Sequence, residues 1–385
     1  MRRTIFNEDH EAFRQTVRDF IAKEVVPFFP EWEAAGQVPR DLYRKLGELG
    51  IFGIEVPEEF GGAGIESAKY ETVLAEEQAR VAVTFGTAGL HTGLCLGYLK
   101  RYATKEQMHR WMPGFMSGEE MYAIAMTEPG TGSDLAGMTT RAELSEDGTH
   151  YVLNGAKTFI TGGVLADRVL VVCRTSPAPA ENRRVGLTIL NVDAKAEGFA
   201  VGRKLEKIGM RTSDTAELSF TDVEVPVEDV LGEEGKAFFY LADNLVKERL
   251  YIGTLAAANA WAAIDFAKEY TRQRLVFGKP VASFQNTKFV LAECAAEAEA
   301  LQAFTDRSIE LYDAGELTAA DAAKLKLFGT EVSGRIIDKC LQLHGGYGYM
   351  LEYPIARLYA DARVSRIYGG TNEVQKTVIA KDLGL

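Results

Sequence analysis

A glutamate and an arginine, Glu248 and Arg249, stand side by side at the head of a stretch, Leu250 to Ile264, that carries no charged side chain. A carboxylate leading into such a run is costly to bury unless it is paired or protonated. The competing reading is an ion pair with Arg249, or with a neighbour away from any cavity. A second place for chemistry is EEMYAIAMTEPGTGSDLAG, residues 119 to 137. It opens as a short apolar strand from Met121 to Met126 and turns abruptly into Thr127, Glu128, Pro129, Gly130, Thr131, Gly132, Ser133 and Asp134. Glycines and small residues at a strand end expose N–H groups and hydroxyls, which suit a polar ring edge or a phosphate. An ordinary surface turn has the same composition. Gly130 and Gly132 lack a third glycine at the dinucleotide spacing, and no lysine follows them as in a P-loop. A cofactor bound here therefore implies neither the Rossmann nor the P-loop fold.

The elements that must position these residues change period twice. Asn7, followed by Glu8, Asp9 and Glu11, starts a helix whose Phe13, Val17, Phe20, Ile21 and Val25 share a face until Pro27. A second helix from Asp41 buries Leu42, Leu46 and Leu49 and stops at Gly50. Helices follow near 66–82 and 84–102, and another starts at Thr104, which forms a capping-box pattern with Gln107. From 121 to about 230 the segments are short, β-branched and punctuated. Asp147-Gly148 marks a hairpin, and RVLVVCRT and VGLTILNV flank a polar, Pro-containing loop at 175–184. This reads as an antiparallel β domain. The helical period returns from Glu233, over about 236–271, 284–313, 318–341, 354–363 and 372–382. The organisation is 1–118 helical, 119–231 β and 232–385 helical, with no internal repeat.

Composition narrows the class. The 385 residues are 46% hydrophobic and 25% charged, with a net charge of −12. An acidic chain without a basic stripe argues against nucleic acid as a partner. Four widely spaced cysteines without a CxxC pair, and five scattered histidines, describe a reduced, cytoplasmic, metal-free protein. The N-terminus lacks an apolar signal core. Leu250 to Ile264 is too short, and too interrupted by Gly253, Thr254 and Asn259, for membrane insertion, so it reads as a buried helix.

Four stretches in order, YAIAMTEPGTGSD, KTFITGG, RQRLVFGKPVASFQ and CLQLHGGYGYMLEYPIARLYADARVSRIYGGTNEV, resemble the acyl-CoA dehydrogenase family, and the resemblance covers the whole chain. It implies an α+β fold: an N-terminal helical domain, a central antiparallel β domain and a C-terminal four-helix bundle, assembled as a homotetramer around FAD. Position by position, Met126, Thr127, Gly132 and Ser133 match the loop along the flavin ring and the acyl-CoA. Phe159 and Thr161 match a Trp-x-Thr that packs on the ring; Phe keeps an aromatic face but loses the indole donor. Arg274, Phe277 and Gln285 match residues gripping the FAD diphosphate and adenine end, where an arginine fork suits phosphate oxygens. Gln342, Gly345 and Gly346 match the segment reaching a neighbouring subunit's FAD, and Thr371 and Glu373 complete the cofactor set. Ser133, Val246, Arg249, Gly369 and Gly370 fall at substrate positions.

The reaction implied is loss of an α-proton and a β-hydride from a saturated acyl-CoA thioester, giving the trans-2-enoyl product. A thioester α-proton is very weakly acidic, so a desolvated carboxylate of raised pKa is the expected base. In many family members it is the glutamate of a Tyr-Glu-Gly-Thr motif, whereas this chain has Tyr368, Gly369, Gly370 and Thr371. The isovaleryl-CoA and long-chain branches instead use a glutamate of a Glu-Arg pair on the bundle helix, which Glu248 and Arg249 match. By the same resemblance, the Gly369 N–H and a ribityl hydroxyl hold the thioester carbonyl. The YGGTNEV run leans toward the long-chain type. Gly86, Ala88, Gly89, Gly93 and Gly97 either leave room for a chain or allow close helix packing. Electron-transferring flavoprotein is the implied acceptor, and an acyl-carrier-protein thioester is chemically equivalent as substrate. A flavin oxidase or monooxygenase on the same fold, and a catalytically silent acyl-CoA-binding protein, remain the alternatives; rapid reoxidation by air marks the first, and ligand binding without flavin reduction the second.

Overall fold

The computed structural model describes residues 2–178 and 181–385. Two residues of the 175–184 loop, 179 and 180, therefore lie outside the described residues. The N-terminal helices are α1 (Glu8–Phe20), α2 (Phe29–Ala35), α3 (Arg40–Glu48), α4 (Ala68–Arg80), α5 (Ala88–Leu90), α6 (Leu96–Tyr102) and α7 (Lys105–Ser117). Asn7 caps α1 by accepting from the His10 N–H, and Thr104 and Gln107 form the expected reciprocal box at the start of α7. Such caps satisfy N–H groups that the first helical turn leaves without partners. Leu42 and Leu46 are buried on α3, but Leu49 is only half-buried, because α3 ends at Glu48 and the chain turns away. The sequence reading missed α2, whose Pro30 occupies an early helical position where its missing N–H costs nothing. The 84–102 segment begins as a loop and becomes helical only from Ala88, with a π-helical turn at His91–Cys95 joining α5 to α6.

The central strands are β1 (Tyr122–Ala125), β2 (Arg141–Leu144), β3 (His150–Thr161), β4 (Arg168–Arg174), β5 (Leu187–Asp193), β6 (Phe199–Lys204), β7 (Thr215–Pro226) and β8 (Val230–Leu231). They form one sheet in the order β6-β7-β3-β2-β4-β5-β8, with β1 paired to β4. The Asp147-Gly148 turn joins antiparallel β2 and β3, and β4 and β5 pair antiparallel across the polar loop. The sheet is not wholly antiparallel, which corrects the expectation: β1 and β2 both run parallel to β4. Parallel partners need a long connection, and the segment containing β2 and β3 supplies it between β1 and β4.

The C-terminal part consists of α8 (Ala237–Gln273), a hairpin of β9 (Leu275–Val276) and β10 (Lys279–Pro280), α9 (Gln285–Asp313), α10 (Ala319–Gln342), α11 (Pro354–Ala362) and α12 (Asn372–Asp382). Helices α8, α9 and α10 pack on one another, with α12 along α10 and α4 against α8. The uncharged part of α8 forms a core of Leu250, Ala257, Ala260, Ala263 and Ile264 against Cys294, Leu301, Leu325 and Val332. α8 is long and apolar enough to span a membrane, but 67% of its apolar window is buried in the protein, so it is a core helix. Close crossing is secured by glycine: a Cβ on Gly253 would lie 2.5 Å from Leu325 Cγ.

Candidate active site

Three groups of residues emerge, each positioned by different elements. In the first, α8 carries Glu248 opposite the turn between α11 and α12. Gly369 and Gly370 are both left-handed there, at φ +65° and +82°. A Cβ on Gly369 would lie 3.5 Å from Glu248 Oε1 and 2.5 Å from Ile252 Cδ1. Burial pushes the Glu248 carboxyl up to about 7, against the pull of Arg249 and then Lys326. Burial, followed by the Glu248 charge, also pushes the Tyr98 and Tyr368 phenols up, so two neutral tyrosines flank the carboxylate. Arg249 is buried, and its Nε donates to Gly369 O at 3.4 Å. Val246 is half-buried on the same helix, about 200° round from Glu248.

The second group joins the loop after β1 to the end of β3. Thr158 N–H donates to Thr127 O at 2.9 Å, and Lys157 Nζ donates to Met126 O at 2.9 Å. Between Lys157 and Ile160 the register with β7 slips, and Phe159 takes φ +59°. A bulge of this kind re-aims a side chain. Here it leaves the Phe159 ring 68% exposed, with Thr161 beside it at the strand end. Gly132 and Ser133 are exposed, and Cβ atoms on Gly130 and Gly132 would meet nothing, so no internal packing demands glycine there.

Sequence reasoning gave no role to the pair that anchors this loop. Glu128 is buried and accepts from Thr139 N–H at 2.7 Å, Thr140 N–H at 2.9 Å and the fully buried Lys157 Nζ at 3.0 Å. Burial opposes its ionisation, yet the Thr139 N–H, Lys157 and Thr140 together hold the carboxyl down at about 2. The only sequence signal was one charge just past a short apolar strand and another inside a strand, Glu128 after β1 and Lys157 within β3.

The third group surrounds the end of α8. Arg274 caps that helix, with its guanidinium 5.6 Å from the Tyr347 ring centroid. Gln342 ends α10, and Gly345 and Gly346, before Tyr347, are exposed with open space at their Cβ positions. Phe277, at φ +51° in the β9–β10 turn, is 92% exposed, and Gln285 is exposed at the start of α9. Thr371 caps α12 by accepting from Val374 N–H, with Glu373 in its exposed first turn. Among the described residues no hydrogen bond joins this third group to the bulge at Phe159.

The glycine stripe of the 88–102 segment is used for packing. Cβ atoms on Gly89, Gly93 and Gly97 would lie 3.1 Å from Tyr251 Oη, 3.3 Å from Glu71 Oε1 and 2.5 Å from Asn244 Oδ1. His91, next to it, is a structural residue: burial drops its pKa to about 3, and its ring bonds Phe115 O and the Tyr122 N–H.

An exposed aromatic face beside a threonine, an open small-residue loop and an arginine that makes no ion pair among the described residues, near exposed glycines, fit a large ligand with a flat ring and phosphates. Comparison with known proteins agrees. The profiles described as acyl-CoA dehydrogenase N-terminal, middle and C-terminal domains match residues 7–119, 123–223 and 238–384. The chain is 42% identical over 381 residues to the mitochondrial long-chain specific acyl-CoA dehydrogenase of Rattus norvegicus, covering 99% of this chain and 88% of the relative. A crystal structure of acyl-CoA dehydrogenase from Geobacillus kaustophilus superposes with a TM-score of 0.93 at 43% identity, covering 99% of both chains. The acyl-CoA dehydrogenase of Bacillus anthracis complexed with FAD superposes with a TM-score of 0.89 at 30% identity, covering 100% of this chain and 69% of that one. FAD is accordingly the expected cofactor. The chain belongs to the acyl-CoA dehydrogenase family, oxidoreductases acting on CH–CH groups.

Proposed function

We propose that the protein dehydrogenates saturated acyl-CoA thioesters to trans-2-enoyl-CoA, with Glu248 as the base. One observation carries the reading. The Glu248 carboxyl reaches the Gly369 turn, which bears no carboxylate of its own, and its pKa of about 7 suits proton abstraction near neutral pH. Glu248 takes the α-proton. The Gly369 N–H, which has no acceptor among the described residues, donates to the thioester carbonyl as negative charge develops there. Phe159 and Thr161 would lie along the FAD ring and Arg274 would hold its diphosphate, and the bound flavin would supply the acceptor for the β-hydride. Arg249 supports the turn through Gly369 O, and the tyrosines beside Glu248 help exclude water.

The substrate is a medium-to-long or branched acyl chain, of which similarity to a long-chain specific relative supports the longer unbranched kind. Electrons then pass to electron-transferring flavoprotein. The exposed Phe277, Tyr349 and Leu351 of the C-terminal part support the homotetramer. The test is anaerobic bleaching of the flavin band by a panel of saturated acyl-CoAs, with Glu248→Gln beside the parent. The expected result is rapid bleaching in the parent and a loss of at least about 100-fold in the variant, with FAD bound in both. Equal bleaching in the two would make Glu248 structural. No bleaching by any thioester would remove the dehydrogenase reading.

A further inference from the structure

Lys326 lies in the N-terminal half of α10 and is fully buried, yet among the described residues it makes no ion pair. Its ammonium donates to Gly370 O at 2.9 Å and to Asn372 Oδ1 at 2.8 Å, both neutral acceptors. A buried ammonium satisfied only by neutral oxygens is costly, and an apolar side chain of similar length would fill the same space at less cost. Burial, then Arg249, depresses its pKa to about 8, while Glu248, Glu373 and Glu331 oppose the drop. The charged groups facing it are thus Glu248 and Arg249 on α8, Glu331 on its own helix and Glu373 on α12.

The acceptors identify what the lysine holds. Gly369 O takes Arg249 Nε at 3.4 Å and Gln375 Nε2 at 3.1 Å, and Gly370 O takes Gln375 Nε2 at 2.7 Å as well as Lys326. Asn372, the second acceptor, is fixed in turn by donating to Thr330 Oγ1 at 3.1 Å and Glu331 Oε1 at 2.8 Å on α10. Two consecutive glycines have wide backbone freedom. Holding both carbonyls removes that freedom and fixes the peptide planes of the turn facing Glu248. Lys326 is also the second cation, after Arg249, that lowers the Glu248 pKa.

We propose that Lys326 is a positioning residue for the dehydrogenation, clamping the Gly369-Gly370 turn against the Glu248 carboxylate and keeping positive charge behind both. This rests on the reading of Glu248 as the base. It assigns Lys326 to the proton-transfer step and not to binding of CoA or of the flavin.

The test uses the FAD-bound protein and the saturated acyl-CoA that bleaches the parent fastest. Lys326→Met is expected to retain FAD, keep KM within about threefold and slow bleaching at saturating substrate by about 10- to 100-fold. The acid limb of its pH–rate profile should move to higher pH, because loss of a nearby cation makes Glu248 harder to deprotonate. A purely structural lysine would lower Tm while leaving the saturated bleaching rate and the acid limb where they were, and that result overturns the proposal. Should Lys326→Met not yield soluble holoenzyme, Asn372→Ala removes one of the two acceptors and keeps the charge. A bleaching rate lowered by about three- to tenfold supports the proposal, and an unchanged rate overturns it. Glu248→Gln, run alongside, separates the two ideas. An active Glu248→Gln removes the base assignment itself, whereas an inactive Glu248→Gln beside an unimpaired Lys326→Met removes only the role of the lysine.

Discussion

Glu128 shows how much can depend on one side chain away from the reacting atoms. Its carboxylate ties the loop after β1 to Thr139 and Thr140 and neutralises Lys157, whose Nζ also holds Met126 O. Glu128→Gln leaves the lysine buried without a countercharge, and removing one member of such a pair costs about 3–5 kcal/mol. Chemical denaturation should register that loss, and FAD content should fall with it, since the loop carries Thr127 to Ser133. The acid response has a defined sign. A carboxyl held at about 2, against its ordinary 4.5, contributes stability that is present above pH 4.5 and lost as pH falls through about 2. Acid titration of the parent should show that loss, and Glu128→Gln should flatten it. Glu248 is shifted the other way. On its proposed role as the base, flavin bleaching should speed up as pH rises through about 7.

The elements differ in how far they could be read from residues alone. The caps at Asn7 and Thr104, the Asp147-Gly148 hairpin and the uncharged centre of α8 are local patterns, and each stands where its residues placed it. The parallel pairing of β1 with β4 is set by tertiary contacts between strands 46 residues apart in register (Tyr122 with Arg168), which no local period encodes. The candidacy of Glu248 as the base came from the resemblance, while its buried setting was legible because charge met an apolar run. Lys326 and the Glu128–Lys157 pair were not, because their significance lies in being buried together, and spacing does not report burial. The crossing of α8 and α10 offers an element-level test. Gly253→Val would drive its side chain into Leu325, and overpacking of this kind typically costs about 1–3 kcal/mol. Thermal unfolding should shift down, with the Glu248 turn otherwise intact.

At the scale of the whole molecule, all four cysteines are buried, with Cys95 and Cys173 in tightly packed surroundings where burial pushes their thiols up. The Cys294 thiol is instead pulled down by its hydrogen bond with Cys340, so its protection rests on burial between the bundle helices; with all four sulfurs buried, the native protein should react slowly with a thiol reagent and release four thiols only in denaturant. A fast-reacting thiol in the native state would mean that the helices around Cys294 and Cys340 open readily. The Gly369-Gly370 turn, finally, bears on how such a molecule can change over generations. Placing a glutamate at 369 would force a side chain into left-handed backbone, at roughly 1–2 kcal/mol, and push aside the tip of Ile252. It would also set a second carboxylate beside the first, and like charges in one site resist ionising together. With Glu248 as the proposed base, a glutamate at 369 is thus disfavoured by the backbone as well as by the charge already there, and the turn itself holds the base on α8.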